Sequence, residues 1–75
     1  MNQDFEKAFG QNIRALRLSK NLTQEQLSAK LQTNGCDITR SALAKIEVGQ
    51  RHLYPDEIRL IKELLGISFE EMFYF

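Results

Sequence analysis

Helix start signals recur along this 75-residue sequence and constrain its fold more than any other feature. Thr23 with Gln26, and Ser68 with Glu71, have the spacing of capping boxes, in which each side chain bonds to the backbone N–H of the other residue. Pro55 suits the first position of a further helix, because the N–H that proline lacks has no partner there. These signals divide the chain into several short helices.

Apolar residues between these signals repeat every three or four positions, which is the period of amphipathic helices. Phe5, Phe9 and Ile13 begin the first such stripe, and Gly49 suits the left-handed residue that ends a helix. We therefore expect one all-α domain spanning the chain (residues 1–75), folded as a five-helix bundle. The predicted helices cover about residues 4–19, 23–33, 39–48, 55–65 and 69–73.

Composition excludes several classes of protein. Apolar residues make up 43% and charged residues 27% of the chain, which is typical of a folded globular protein. No apolar run approaches the ~18 residues of a membrane span, and the N-terminus lacks the basic-then-apolar order of a secretory signal. The single cysteine, Cys36, indicates a reducing compartment. We expect a cytoplasmic protein that does not contact a membrane.

The net charge of zero conceals an uneven distribution of charge along the chain. Residues 11–53 carry seven basic and three acidic side chains, a balance of +4, whereas residues 54–75 carry two basic and five acidic ones, a balance of −3. Proteins that bind nucleic acids neutralise phosphates with a basic surface. This asymmetry is compatible with DNA binding by the middle of the chain.

The segment over residues 39–47 has the composition of a helix that reads DNA. At 3.6 residues per turn, Arg40, Ser41, Ala44 and Lys45 lie away from its apolar face. Arg and Lys bond to guanine edges, Ser bonds to either base of a pair, and Ala fits against a thymine methyl group. The alternative is that Arg40 and Lys45 are solvated charges, and periodicity alone does not separate the two interpretations.

Four segments of the sequence carry a resemblance to a known family: NIRALR (12–17), LTQEQL (22–27), ITRS (38–41) and KIEVG (45–49). Together they resemble the Cro/C1-type, or XRE-like, helix-turn-helix regulators of phages and bacteria, over roughly residues 9–73. The resemblance implies a lambda-repressor-like DNA-binding fold. It also implies a sequence-specific transcriptional regulator of double-stranded DNA, expected to be a repressor that binds an inverted repeat as a homodimer.

The resemblance also assigns roles to individual residues. The base contacts that it implies are Arg40, Ser41, Ala44 and Lys45. The phosphate contacts that it implies are Thr23, Gln24, Thr39, Gln50 and Arg51. Arg17 and Glu47 match a structural ion pair that fixes the recognition helix against the bundle, where loss of one partner is penalised.

The sequence departs from the family pattern between the second and third helices. Many members have a very short turn there, whereas residues 32–38 of this chain intervene before Thr39. We expect a lengthened turn, which leaves open the tilt of the recognition helix and the choice between Ser41 and Ala44 as a base contact. Cys36, within this turn, is interpreted as a half-buried turn residue.

The C-terminal residues 67–75 hold four of the seven aromatic residues, more than so small a bundle easily buries. We expect Phe69 or Met72 to point inward and the last aromatic residues to lie partly at a two-fold interface. The predicted dimer-interface residues are Phe69, Met72, Phe73, Tyr74 and Phe75. Dimers of the family bind half-sites about one DNA turn apart, ~34 Å.

The sequence contains no pattern that predicts an enzyme. His52, the one histidine, has no second histidine or cysteine with zinc-site spacing, and no acid–base pair accompanies a nucleophile. We expect no metal, no cofactor and no small-molecule substrate. Two alternatives stay open: a protein-interaction module, such as an adaptor or an antitoxin-like partner, and a binder of structured RNA.

Overall fold

The computed structural model describes residues 2–75 as five α-helices without a β-strand in that range. The helices are α1 (Gln3–Ser19), α2 (Gln24–Thr33), α3 (Arg40–Glu47), α4 (Pro55–Leu65) and α5 (Phe69–Phe73). Met1, the first residue of the predicted domain, lies outside the described residues. The predicted all-α fold of five helices is confirmed. No helix within residues 2–75 is long and apolar enough to cross a membrane.

The helix starts follow the capping chemistry of the sequence. The Thr23 hydroxyl accepts from the Gln26 N–H at 3.0 Å, and the Gln26 amide oxygen accepts from the Thr23 N–H at 2.8 Å. Ser68 and Glu71 form the same reciprocal pair before α5. Each pair satisfies backbone donors that a helix start leaves without a partner, so these boundaries are set locally.

Left-handed residues end the helices and turn the chain. Asn21, at φ 59°, follows α1, and Gly49, at φ 80°, follows α3. In both turns the residue after the left-handed one donates its N–H back across the last turn, from Leu22 to Arg17 and from Gln50 to Lys45. These bonds satisfy carbonyl groups that would otherwise lack donors.

The connection between α2 and α3 spans residues 34–39. It begins with an N–H bond from Cys36 back to the Leu31 carbonyl, and its Ile38 side chain is fully buried. Burial of Ile38 anchors the connection to the core, so it is a folded part of the domain. Cys36 is half-buried, and its pKa is raised, first by burial of the thiol and then by the nearby Glu57 carboxylate.

The hydrophobic core lies among all five helices. Fully or almost fully buried aliphatic residues and one methionine form it, and α3 packs against both α1 and α2. Its members are Ile13, Leu27, Leu31, Ile38, Leu43, Ile46, Ile61, Leu65, Ile67 and Met72. Because α3 contributes two residues to this core, its opposite face is held outward in a fixed orientation.

Gly10 permits an unusually close approach of α1 to the end of α3. A Cβ atom at this position would lie 2.2 Å from the carbonyl oxygen of Ile46 and 3.0 Å from the carbonyl of Glu47. Gly49 lies at the same crossing, where an added Cβ atom would come within 2.8 Å of the Lys7 Cα atom. The two glycines therefore allow the backbones of α1 and of the end of α3 to touch.

The C-terminal segment packs against the N-terminal half of α1. The Asn12 amide donates to the carbonyls of Glu71 and Met72, at 2.9 Å each. The Phe73 ring lies 4.9 Å from the Phe9 ring, centroid to centroid, and is half-buried.

Of the two residues expected to point inward, Met72 does so and Phe69 does not. Because Met72 is wholly buried in the core of its own chain, its place among the predicted dimer-interface residues is wrong: no part of it is exposed to a partner.

Candidate DNA interface

The outward face of α3 carries the residues predicted to contact bases. Arg40, Ser41 and Lys45 are exposed, and Ala44 is half-buried beside them. The Thr39 hydroxyl caps the helix by accepting from the Ala42 N–H at 3.1 Å. The face is therefore polar, basic and narrow, and it includes one small residue at which another surface can approach closely.

The first turn of α2 lies next to this face. Gln24 is half-buried and lines a shallow groove with Arg40, Ser41 and Ala44. A second groove, which Gln24 and Arg40 also border, continues along Thr23 and the turn before α2. The start of α2 presents backbone N–H groups and a positive dipole end, which favour an anion there. Two predicted phosphate contacts, Thr23 and Gln24, thus share one surface with the predicted base contacts.

A buried ion pair joins α1 to the end of α3. Arg17 Nε donates to Glu47 Oε2 at 2.7 Å and Nη2 donates to Oε1 at 3.0 Å, with side chains that are 5% and 1% exposed. Arg17 Nη1 also donates to the Leu22 carbonyl at 2.7 Å. The same Glu47 Oε1 accepts from the Gln24 amide at 3.0 Å. One carboxylate therefore links the three helices that form the candidate interface.

The loop after α3 brings the two remaining predicted phosphate contacts into different environments. Gln50 is exposed. Arg51 is half-buried and donates to both oxygens of Glu57 at 3.1 Å, and also to the His52 carbonyl. This pairing raises the pKa of Arg51. These bonds use three of the five guanidinium N–H groups, so a phosphate at Arg51 would share this cation with the Glu57 carboxylate.

The same contacts favour the ionised form of the Glu57 carboxyl group. Burial alone raises its pKa, but the hydrogen bonds from Arg51 and from the Tyr54 backbone N–H, together with the Arg51 charge, outweigh burial and leave the pKa lowered. Nearby, His52 Nδ1 contacts the Glu6 carboxylate of α1. Glu57 and Glu6 are thus both bound by partners within the chain.

Two cations of the candidate interface, Arg40 and Lys45, are available to an external anion. Within residues 2–75, carboxylate pairs involve Arg17, Arg51, Arg59 and His52. The exposed side chains Arg40 and Lys45 do not take part in any of them. A polyanion that lies along α3 would therefore meet positive charges that no carboxylate of these residues neutralises.

Three C-terminal aromatic residues are more than half exposed, and one of them packs beside the first turns of α1. Phe69 is 52%, Tyr74 83% and Phe75 55% exposed. The Phe75 ring packs 5.7 Å from Phe5, which is itself 48% exposed. We call Phe5, Phe69, Tyr74 and Phe75 the aromatic patch. Three predicted dimer-interface residues belong to it, while Phe73 lies half-buried beneath.

Comparison with known protein families identifies the architecture around α2 and α3. A family model described as helix-turn-helix matches residues 13–72, from the middle of α1 to α5. The chain belongs to the Cro/C1-type helix-turn-helix family. The predicted resemblance is confirmed, and α2 and α3 are the helix pair from which this family takes its name.

Two relatives of this helix-turn-helix protein have names that describe regulators. The control protein C.BamHI of Bacillus amyloliquefaciens is 36% identical over 69 residues, which cover 91% of this chain and 79% of that protein. The HTH-type transcriptional activator BcrR of Enterococcus faecalis is 30% identical over 64 residues, or 85% of this chain and 29% of that protein. No solved structure matches the chain significantly. The chain is a DNA-binding transcriptional regulator rather than an enzyme.

Three features of the site were not predicted from the sequence. Glycine inside a helix is unfavourable, so the position of Gly10 within the predicted first helix was a signal of close backbone approach. The Gln24–Glu47 bond joins residues 23 positions apart and left no local signal. Arg51 and Glu57 are six positions apart and join a loop to a helix, so no periodic pattern in the sequence predicts their pairing.

Proposed function

We propose that this helix-turn-helix protein is a repressor that binds an inverted repeat in double-stranded DNA as a homodimer. In this proposal α3 enters the major groove, and Arg40, Ser41, Lys45 and the smaller Ala44 contact base edges. The observation that carries the proposal is the exposed basic face of α3, whose cations have no carboxylate partners in the described chain.

The phosphate contacts of the proposal come from both sides of this face. Thr23 and Gln24 occupy the start of α2, where backbone N–H groups favour an anion. Thr39 precedes α3, and Gln50 and Arg51 follow it. Such contacts fix the position of the protein on the duplex, whereas the side chains of α3 read its sequence.

The dimer of the proposal forms through the aromatic patch. Phe69, Tyr74 and Phe75 each expose more than half of their surface, and burial of these rings between two copies would stabilise a dimer. A two-fold interface uses the same patch from both copies. It would place two α3 helices at successive turns of an inverted repeat.

Selection of bound duplexes from a random-sequence library, followed by affinity titration at several salt concentrations, tests DNA reading. We expect log affinity to fall linearly with log salt. Arg40→Ala and Lys45→Ala should each lose about 1–3 kcal/mol of discrimination for the selected site. Arg59→Ala, which removes an exposed cation from α4, is the matched control. Salt-independent binding, or equal effects of Arg40→Ala and Arg59→Ala, would overturn the proposal and favour a protein-interaction module.

Sedimentation at several protein concentrations tests the dimer. Tyr74→Ser and Phe75→Ser should shift the protein towards monomer and reduce the binding of full inverted repeats more than that of single half-sites. Tyr54→Ser, which changes an exposed aromatic residue outside the aromatic patch, should change neither property. A wild-type protein that stays monomeric both free and on the inverted repeat would refute the dimer.

Activation of transcription is a second candidate, favoured by the name of the activator BcrR among the relatives. A reporter separates the two directions of regulation. If the selected site overlaps the promoter and expression falls when the protein is present, occlusion is supported. Increased expression from a site upstream of the promoter would instead favour activation.

A further inference from the structure

The exposed face of α3 continues beyond its last residue into a groove formed with α1. Ser41, Lys45 and Val48 follow one another at spacings of four and three, so they lie in one stripe along the helix. All three are exposed, and Val48 is 48% exposed although it is apolar. The groove at the end of this stripe is lined by Val48, Gln50, His52 and the α1 residues Gln3, Glu6 and Lys7.

Lys7 is the cation of this groove, and its position is fixed by backbone contact. The α1 backbone at Lys7 touches Gly49, where even a single added Cβ atom would come within 2.8 Å of the Lys7 Cα atom. The side chain of Lys7 is exposed and has no carboxylate partner among residues 2–75. The acidic neighbour in the groove, Glu6, is instead bound by His52.

If α3 crosses the major groove from one backbone towards the other, its two ends meet different DNA strands. Eight helical residues span about 12 Å, which is close to the ~12 Å width of the major groove. Gln24 and Arg40 share the groove at the beginning of α3, whereas Lys7 and Gln50 share the groove at its end. A duplex read by α3 would therefore have one phosphate backbone near each groove.

We propose that Lys7, together with Gln50, binds a phosphate of the DNA backbone opposite the one that Gln24 contacts. The inference rests on the proposed function, namely that α3 reads the major groove. It adds a contact from the first turns of α1, which precede the residues 13–72 that the helix-turn-helix family model matches. DNA recognition by this chain then extends beyond the helix-turn-helix pair itself.

Titration of the full chain with its selected duplex at several salt concentrations tests the contact. Lys7→Ala should make the slope of log affinity against log salt less steep by about 0.9, the value for one phosphate contact. It should weaken binding to selected and random duplexes by the same factor, because a phosphate contact carries no sequence information. Lys30→Ala, at the far end of α2, removes an equally exposed lysine and should leave the slope unchanged.

Neutral methylphosphonate substitutions, placed one at a time in the duplex, locate the phosphate. In double-mutant cycles, Lys7→Ala should lose its effect at one substituted position, and Gln24→Ala at a position on the other strand. A Lys7→Ala slope equal to that of the wild type, with Arg40→Ala still impairing selectivity, would overturn this inference and leave the proposed function standing. Wild-type binding without salt dependence would overturn both.

Discussion

Replacement of Glu47 by alanine should cost this domain a large part of its stability. The Glu47 carboxylate accepts from Arg17 Nε at 2.7 Å, from Arg17 Nη2 at 3.0 Å and from the Gln24 amide at 3.0 Å. Without it, Arg17 keeps only its bond to the Leu22 carbonyl, in a site where its side chain is 5% exposed. The substitution therefore leaves an almost fully buried guanidinium group without an opposite charge.

The expected size of the loss follows from this burial. Removing one partner of a buried ion pair costs about 3–5 kcal/mol. A domain of 75 residues has a total free energy of unfolding of roughly 4–11 kcal/mol. The Glu47→Ala variant should therefore lose between about a quarter and all of its stability. Since each kcal/mol lowers the Tm by about 4–8 °C in a domain of this size, the Tm should fall by at least about 12 °C.

Urea denaturation followed by circular dichroism measures this loss. Glu63→Ala is the matched control, because it removes a glutamate from the exposed pair with Arg59 and should cost no more than about 0.5 kcal/mol. The double substitution Arg17→Met with Glu47→Leu should recover much of the stability, because it removes both charges and restores apolar packing. Equal losses in Glu47→Ala and Glu63→Ala would refute the reasoning, as would a double variant less stable than Glu47→Ala.

Three further predictions concern the backbone crossing, pH and thiol reactivity. Gly10→Ala should destabilise the domain by about 1–3 kcal/mol in thermal melts, because its Cβ atom would overlap the α3 backbone, and a neutral or stabilising effect would contradict the crossing. Glu57→Gln should destabilise at pH 7 but much less near pH 3. Because the pKa of Glu57 is lowered in the folded protein, ionised Glu57 stabilises the fold fully above its unfolded pKa of about 4.5, and this stabilisation is lost as the pH falls through the folded pKa. A stability difference that does not depend on pH would contradict the Arg51 pairing. Cys36, whose pKa is raised, should react with iodoacetamide more slowly in the native protein than in urea at the same pH, and equal rates would show that the thiol is freely exposed.

Local chemistry explains why the helices could be predicted from the sequence. The capping box of Thr23 with Gln26 and the left-handed turn at Gly49 involve residues a few positions apart. Their hydrogen bonds join neighbouring residues, so a short window of sequence contains the signal for each boundary. The boundaries of α2 and α3 therefore agree with the sequence interpretation almost to the residue.

Contacts between distant segments explain where prediction failed. The sequence showed that residues 67–75 hold too many aromatic residues to bury, but not which of them meet α1. Met72 is buried in the core, and the Asn12 amide of α1 donates to the carbonyls of Glu71 and Met72 beside it. That bond spans about 60 positions, and neither residue type is unusual where it stands. Only the packed bundle decides that Met72 faces the core while Tyr74 faces solvent.

The network around Glu47 connects the scaffold of this domain to the surface that we propose reads DNA. Glu47 belongs to α3, receives Arg17 from α1 and receives Gln24 from α2. Gln24 in turn borders the same groove as Arg40 and Ser41. Because one buried carboxylate sets the relation among the three helices, a change at Glu47 should alter DNA selectivity as well as stability. Under stabilising conditions the Glu47→Gln variant stays folded, and its DNA selectivity should fall. The selectivity of the control variant Glu63→Gln should not change. Unchanged selectivity in Glu47→Gln would show that packing alone positions α3.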